Sequence, residues 1–130
     1  MQRHYTGCKP PKKTGIGRII AAFSYSLCGL RCAFSNEASF RQETCVVVVA
    51  LGVLAFLPLS GEWKGVLFLA TTLVLVVELL NSAIESVVDL ASSDYHALAR
   101  RAKDIGSAAV LVSITLALIL WTYAVIFCVD

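Results

Sequence analysis

Residues 66–89 read VLFLATTLVLVVELLNSAIESVVD. From Val66 to Val77 only Thr71 and Thr72 interrupt an apolar run; then Glu78, Asn81, Ser82, Glu85 and Asp89 follow within a few turns. A helix turns about 100° per residue, which places those five side chains in one stripe about 100° wide. The rest of the surface is Leu, Ile and Val, suited to lipid or to a neighbouring helix. Trp63, a boundary residue, lies 15 positions before Glu78, about 22 Å at the helical rise, and Glu85 lies about 33 Å along. Across roughly 30 Å of hydrocarbon, Glu78 falls inside the apolar layer while Glu85 and Asp89 sit at or just past its surface. A carboxylate at that depth costs at least about 2.5–3.5 kcal/mol, so such residues serve a function or pair with another group. The competing reading is a structural polar contact between helices.

The rest of the chain fits the same solvent. Of its 130 residues 58% are hydrophobic and 15% charged, and the mean hydropathy is +0.77. A soluble domain is nearer half apolar and a quarter charged. Two further apolar stretches flank the first, at about 44–59 and about 106–128, with the central span at about 63–88. Pro58 and Ser60-Gly61 end the first, and SGEWK, residues 60–64, reads as a short loop with Trp63 and Lys64 at the membrane boundary. Trp121 and Tyr123 suit the far end of the third span as belt residues. Residues 16–34 show helical spacing broken by Arg18, Ser24, Ser26 and Arg31, the pattern of an amphipathic helix lying in the interface. A polar segment, 35–43, follows, with Ser35 or Asn36 as an N-cap. Residues 89–105 form a charged, partly helical connection. The expectation is an all-α integral membrane protein: an interface helix plus three transmembrane helices in one domain, 14–130, behind a disordered cytoplasmic tail, 1–13.

Lys and Arg set the orientation. Arg3, Lys9, Lys12, Lys13, Arg18, Arg31 and Arg41 precede the first span; Lys64 alone lies in the first loop; Arg100, Arg101 and Lys103 lie in the second. The positive-inside rule puts the N-terminus and the second loop in the cytoplasm and the C-terminus outside. A net charge of +2 gives no reason to expect a nucleic-acid partner. The five cysteines, Cys8, Cys28, Cys32, Cys45 and Cys128, form no C-x-x-C pair, and they read as reduced apolar fillers. No cleavable signal peptide is visible.

Glu37 and Glu43 supply acids from the segment before the first span, and Asp94 and Asp104 flank Lys103 in the second loop. If the chain folds back, these groups meet the Glu78 stripe at one membrane surface. Mg²⁺ prefers one or two carboxylates plus phosphate oxygens, and phosphoryl transfer needs positioning, charge neutralisation and a base for the attacking hydroxyl. Glu78 is the best candidate for that base. Arg18, Arg100, Arg101 and Lys103 can meet polyphosphate, although Arg100 and Arg101 read equally as a solvated face against anionic lipid. There is no P-loop and no protein-kinase Gly-rich loop, so spacing alone supports a membrane protein with a buried carboxylate site and does not identify ATP.

Four segments carry a resemblance. Glu78-Leu79-Leu80-Asn81-Ser82-Ala83-Ile84-Glu85 with Val87-Val88-Asp89 is similar to the E-x-x-N-[ST]-A-[IL]-E signature of prokaryotic diacylglycerol kinases. So are Arg101-Ala102-Lys103-Asp104 followed by Gly106-Ser107-Ala108-Ala109-Val110, Asn36 to Glu43, and Thr14-Gly15 followed by Arg18-Ile19-Ile20. The resemblance covers residues 14 to 128. It implies a homotrimeric enzyme of the bacterial inner membrane that transfers the γ-phosphoryl group of MgATP to diacylglycerol. It implies Glu78 as general base and Glu37 and Glu85 as Mg²⁺ ligands. Around the nucleotide it implies Arg18, Tyr25, Glu37, Glu85, Asp89, Asp94, Tyr95, His96, Lys103 and Asp104. Around the lipid it implies Arg18, Ser26, Gln42, Glu43, Glu78, Asn81 and Ser107. Read alone, His96 is a single exposed loop histidine. One departure stands out: Leu27-Cys28 follows Tyr25-Ser26 where better-known members carry Trp-Lys, so an interfacial anchor and a cation are gone.

Three other readings compete. An undecaprenol kinase of the same family would share every catalytic motif. A small proton-coupled transporter could use Glu78 as its relay, but it needs a path open to both sides, and the polar stripe lies at one end. A structural oligomerisation subunit gives no reason for two acids seven residues apart beside Asn81.

Overall fold

In the computed structural model, residues 15–91 and 96–128 are described. They form four helices: α1 (Ile16–Asn36), α2 (Ala38–Phe56), α3 (Gly61–Ala91) and α4 (Ala97–Phe127). All four are long and apolar enough to cross a membrane by length and composition. Three of them match the expected spans, and α1 meets the same measure where an interface helix was expected.

The chain divides into two compact units, 1–36 and 37–130. The first contains α1, none of whose residues is buried. Its Ile16, Ile20, Phe23, Leu27, Leu30 and Phe34 are exposed at alternating spacings of four and three, which lines them along one side of the helix. Gly29 does not interrupt it. Neither Ser35 nor Asn36 is an N-cap. Both end α1, and the Asn36 amide turns back to donate to the Cys32 carbonyl at 2.8 Å. The break falls one residue later, at Glu37, whose backbone is extended at φ −100° and ψ 116°. Most of the polar segment 35–43 is therefore helix, and α2 begins at Ala38, earlier than the expected 44.

The second unit is a three-helix bundle with α3 at its centre, packed against both α2 and α4. α2 ends at Phe56 because Leu57, held extended at ψ 137°, precedes Pro58, which disfavours the helical region for its neighbour. The loop is then Leu57–Ser60, not 60–64: Ser60 caps α3 by accepting from the Trp63 N–H at 3.4 Å. Lys64 reaches back to the Ala55 carbonyl at 3.3 Å and satisfies one of the orphan carbonyls at the end of α2.

α3 and α4 run antiparallel. Asp89 meets Lys103, Asn81 meets Gly106, Thr71 meets Trp121 and Trp63 meets Tyr123. The buried faces of both helices follow a repeat of three and four: Leu67, Ala70, Thr71, Val74, Glu78, Asn81 and Ser82 on α3, and Gly106, Val110, Ser113, Ala117 and Ala124 on α4. Small residues dominate the α4 side, which lets the backbones approach closely, the usual basis of helix association in lipid. At one end Leu54, Leu59, Leu67 and Ala124 form a core with Trp63 and Trp121 against it; further along, Ala70, Val74 and Ala117 form a second. Large apolar side chains such as Val49, Leu69, Val112 and Ile126 point outward on the other faces. In water such patches mark binding surfaces; on helices of this length they form a face for lipid.

Candidate functional site

Glu78 sits on the buried face of α3 and is only 3% exposed. One turn on, Asn81 and Ser82 are also buried, and the Asn81 Nδ2 donates to Glu85 Oε1 at 3.1 Å. Of the five residues of the stripe read from spacing, Glu78, Asn81 and Ser82 are buried and Glu85 half-buried, while Asp89, the last, is exposed. Ser82 is further fixed through its carbonyl, which accepts from Ser86 Oγ at 2.9 Å.

α2 and α4 close on this stripe from two sides. α2 brings Glu43, whose carboxyl lies within electrostatic reach of Glu78 and whose Oε2 is buried without a hydrogen-bond partner. α4 brings Lys103 from its polar first turns, before the apolar run that starts at Gly106. Its Nζ pairs with Asp89 Oδ1 at 2.5 Å. The hydrogen bond to Asp89 outweighs desolvation and, with the Asp89 and Glu85 charges behind it, holds the Lys103 ammonium above the usual lysine range. Lys103 is a firm cation at neutral pH. Glu43 thus lies near Glu78, while Asp89 pairs with Lys103 and Glu85 lies within its electrostatic reach.

Other expected site residues sit as follows. Glu37 is half-buried at the start of α2, and Gln42 is exposed one residue before Glu43. Asp104 is exposed and pairs with Arg100 at 3.9 Å across one helical turn, a surface contact worth little. Ser107 is exposed on α4. His96 is the N-cap of α4, its Nδ1 accepting from the Leu98 N–H at 3.2 Å. Arg18, Tyr25 and Ser26 belong to α1 in the first unit, where Ser26 Oγ donates to the Ala22 carbonyl at 3.1 Å. Asp94 and Tyr95 lie outside the described residues, as does the tail 1–13. None of the four described cysteines is in a disulfide.

Two features were not anticipated. A groove of about 520 Å³ opens beside the carboxylates, from Gln42 and Glu43 along Val46, Val47 and Ala50 to Thr71 and Trp121. Trp121, expected as a belt residue, instead donates its indole N–H to Thr71 Oγ1 at 2.9 Å, while Thr71 donates to the Leu67 carbonyl at 2.6 Å. Spacing gives no hint of a pair 50 residues apart. The second feature is Gly106. A Cβ built there overlaps Asn81 Oδ1 and lies 3.4 Å from Asn81 Cγ.

Among the described residues no group of three or more His, Cys, Asp or Glu side chains could hold a metal. Glu85, its Oε1 held by the Asn81 amide, is the kind of carboxylate oxygen that a hard divalent cation takes together with phosphate and water oxygens.

Known proteins are similar to this chain over most of its length. The family model described as prokaryotic diacylglycerol kinase matches residues 24–125. A protein named diacylglycerol kinase from Escherichia coli strain K12 is 50% identical over 108 residues, covering 83% of this chain and 88% of that protein. A protein of the same name from Pseudomonas aeruginosa is 43% identical over 109 residues, covering 84% and 89%. One from Haemophilus influenzae is 41% identical over 113 residues, covering 85% and 93%. The match spans the helices that build the buried carboxylate face, and with it the chain belongs to the prokaryotic diacylglycerol kinase family.

Proposed function

We propose that this chain transfers the γ-phosphoryl group of MgATP to the free hydroxyl of diacylglycerol, giving phosphatidic acid, at the cytoplasmic face of the bacterial inner membrane. The family is one of lipid kinases, and the observation that carries the reading is Glu78. It is only 3% exposed, at the polar end of an otherwise apolar helix, one turn beyond Val74, which with Glu43 lines a mainly apolar groove. A lipid hydroxyl reaches such a group from the membrane side, and a nucleotide reaches Lys103 and Asp89 from the aqueous side.

Glu78 is the general base. It takes the proton of the lipid hydroxyl as that oxygen bonds to the γ-phosphorus; the bond from phosphorus to the β,γ-bridging oxygen breaks, and ADP leaves. Asn81 and Ser107 orient the base and the lipid. Gln42, Glu43, Arg18 and Ser26 shape the lipid's approach, with Glu43 open to a hydrogen bond through its unpartnered oxygen. Lys103 offers a fixed cation to the polyphosphate, with Arg18, Tyr25, Asp89, Asp94, Tyr95, His96 and Asp104 around the nucleotide. Glu85 and Glu37 would hold the Mg²⁺, which neutralises charge on the transferring group. Substituting Glu85 by Gln should raise the Mg²⁺ concentration for half-maximal rate by at least the roughly 10–100-fold that loss of a ligand's outer-shell partner costs; a Mg²⁺ titration unchanged from wild type would remove Glu85 as a ligand.

Assembly completes the proposal. The exposed apolar edge of α1 and the outward faces of the bundle leave much for neighbouring chains and lipid to cover, consistent with a homotrimer. The one-sided polar stripe speaks against a proton path through the membrane. The test is direct: purified chain in mixed micelles with MgATP and either short-chain diacylglycerol or undecaprenol. Phosphatidic acid, lost with EDTA and restored by Mg²⁺, is the expected product. Phosphorylated undecaprenol alone would move the substrate assignment, and no lipid product at all would end it.

A further inference from the structure

We infer that Gly106 is a positioning residue, whose lack of a side chain keeps Asn81 on Glu85. Gly106 lies inside α4, at a buried position with an ordinary helical φ, so no left-handed backbone requires a glycine there. Glycine in a helix interior is less favourable than alanine. What alanine could not do is share the space: its Cβ would overlap Asn81 Oδ1.

The Asn81 side chain is 8% exposed, and its two ends are treated differently. Nδ2 donates to Glu85; Oδ1 is buried and has no conventional hydrogen-bond donor. The amide cannot profitably reverse, since that would set Oδ1 against a carboxylate oxygen. Buried acceptors ordinarily find a donor. Here the Gly106 hydrogen that stands where a Cβ would be lies close to Oδ1, and Cα–H contacts of this kind recur at close helix interfaces. Gly106 therefore both admits the amide and faces its otherwise unpaired oxygen. The Asn81 Cα lies at 4.0 Å from the built Cβ, an ordinary contact. An added methyl thus leaves the helix backbones in place and acts on the Asn81 side chain, which must rotate and release Glu85.

The inference rests on the reading of Asn81 and Glu85 as part of the reaction site. It is tested with kcat and thermal unfolding of the full chain in micelles, for wild type, Gly106→Ala, Asn81→Ala and the double variant. The expected result is a Gly106→Ala rate roughly ten- to hundredfold below wild type, the range for a displaced supporting contact. The melting temperature should not fall, because alanine strengthens the helix. The double variant should be no slower than Asn81→Ala alone, because with the amide gone the methyl has nothing to displace. Independent, multiplying losses would overturn the inference and leave Asn81 in place. So would a Gly106→Ala rate equal to wild type, a loss greater than that of Asn81→Ala, or a loss of helical signal in Gly106→Ala. A wild-type rate in Asn81→Ala would remove Asn81 from the site and the inference with it.

Discussion

Glu78→Gln should lower kcat by roughly 10²–10⁴-fold, the contribution of a positioned general base, with the bundle still folded. Glutamine keeps the shape of the side chain and can hydrogen-bond, but it cannot take a proton from a hydroxyl. The position is buried and lies in an apolar span, where an ionised carboxylate is expensive. A neutral amide there carries no such cost, so the unfolding midpoint in detergent should hold or rise. Loss of rate and retention of stability together separate a catalytic acid from a structural one. If Glu78 served only as a helix–helix contact, the order would reverse, with stability lost and turnover kept. A Glu78→Gln rate within a few-fold of wild type would be enough to reject the base assignment.

The largest expected effect on stability is Leu67→Ala. Leu67 is 0% exposed and packs among Leu54, Leu59 and Ala124, where α2, the loop after it, α3 and α4 all meet. In a soluble core such a truncation costs 2–5 kcal/mol, from lost transfer energy and the cavity left behind. Lipid tails are as apolar as leucine, so the transfer contribution shrinks and the lost packing contacts remain. About 2 kcal/mol is expected on that reasoning. Leu69, two residues on and 67% exposed, is the control: Leu69→Ala should cost well under half as much, because its partners are lipid. Reversible unfolding in mixed micelles measures both, and equal losses would contradict the packing described at Leu67.

The helices and the inward carboxylate stripe were legible in the sequence because each depends on a single period. From Glu78 to Asp89 the repeat fixes which side chains share a face, and no neighbour is needed to read it. Boundaries were less legible. The segment 35–43 looked like a linker because it is polar, yet polarity says where a helix lies and not whether it forms. Only the extended backbone of Glu37 interrupts it. Pair contacts between helices were legible only where a motif pointed to them. That Glu43 would meet the Glu78 stripe at one membrane surface was expected on the condition that the chain folds back, but the bond from Trp121 to Thr71 was not, since either residue alone has an adequate surface explanation. Gly106 was hidden for a different reason: what matters there is an atom it lacks, and its consequence falls on a side chain of another helix.

The antiparallel pairing of α3 and α4 is pinned at two widely separated levels, by the indole of Trp121 on Thr71 and by the Asn81 amide seated over Gly106. A slide of one helical turn is about 5.4 Å and would undo both at once, stranding polar groups where no water can replace the lost partner. The register of these two helices is therefore fixed at both levels together, and neither contact can be given up without the other.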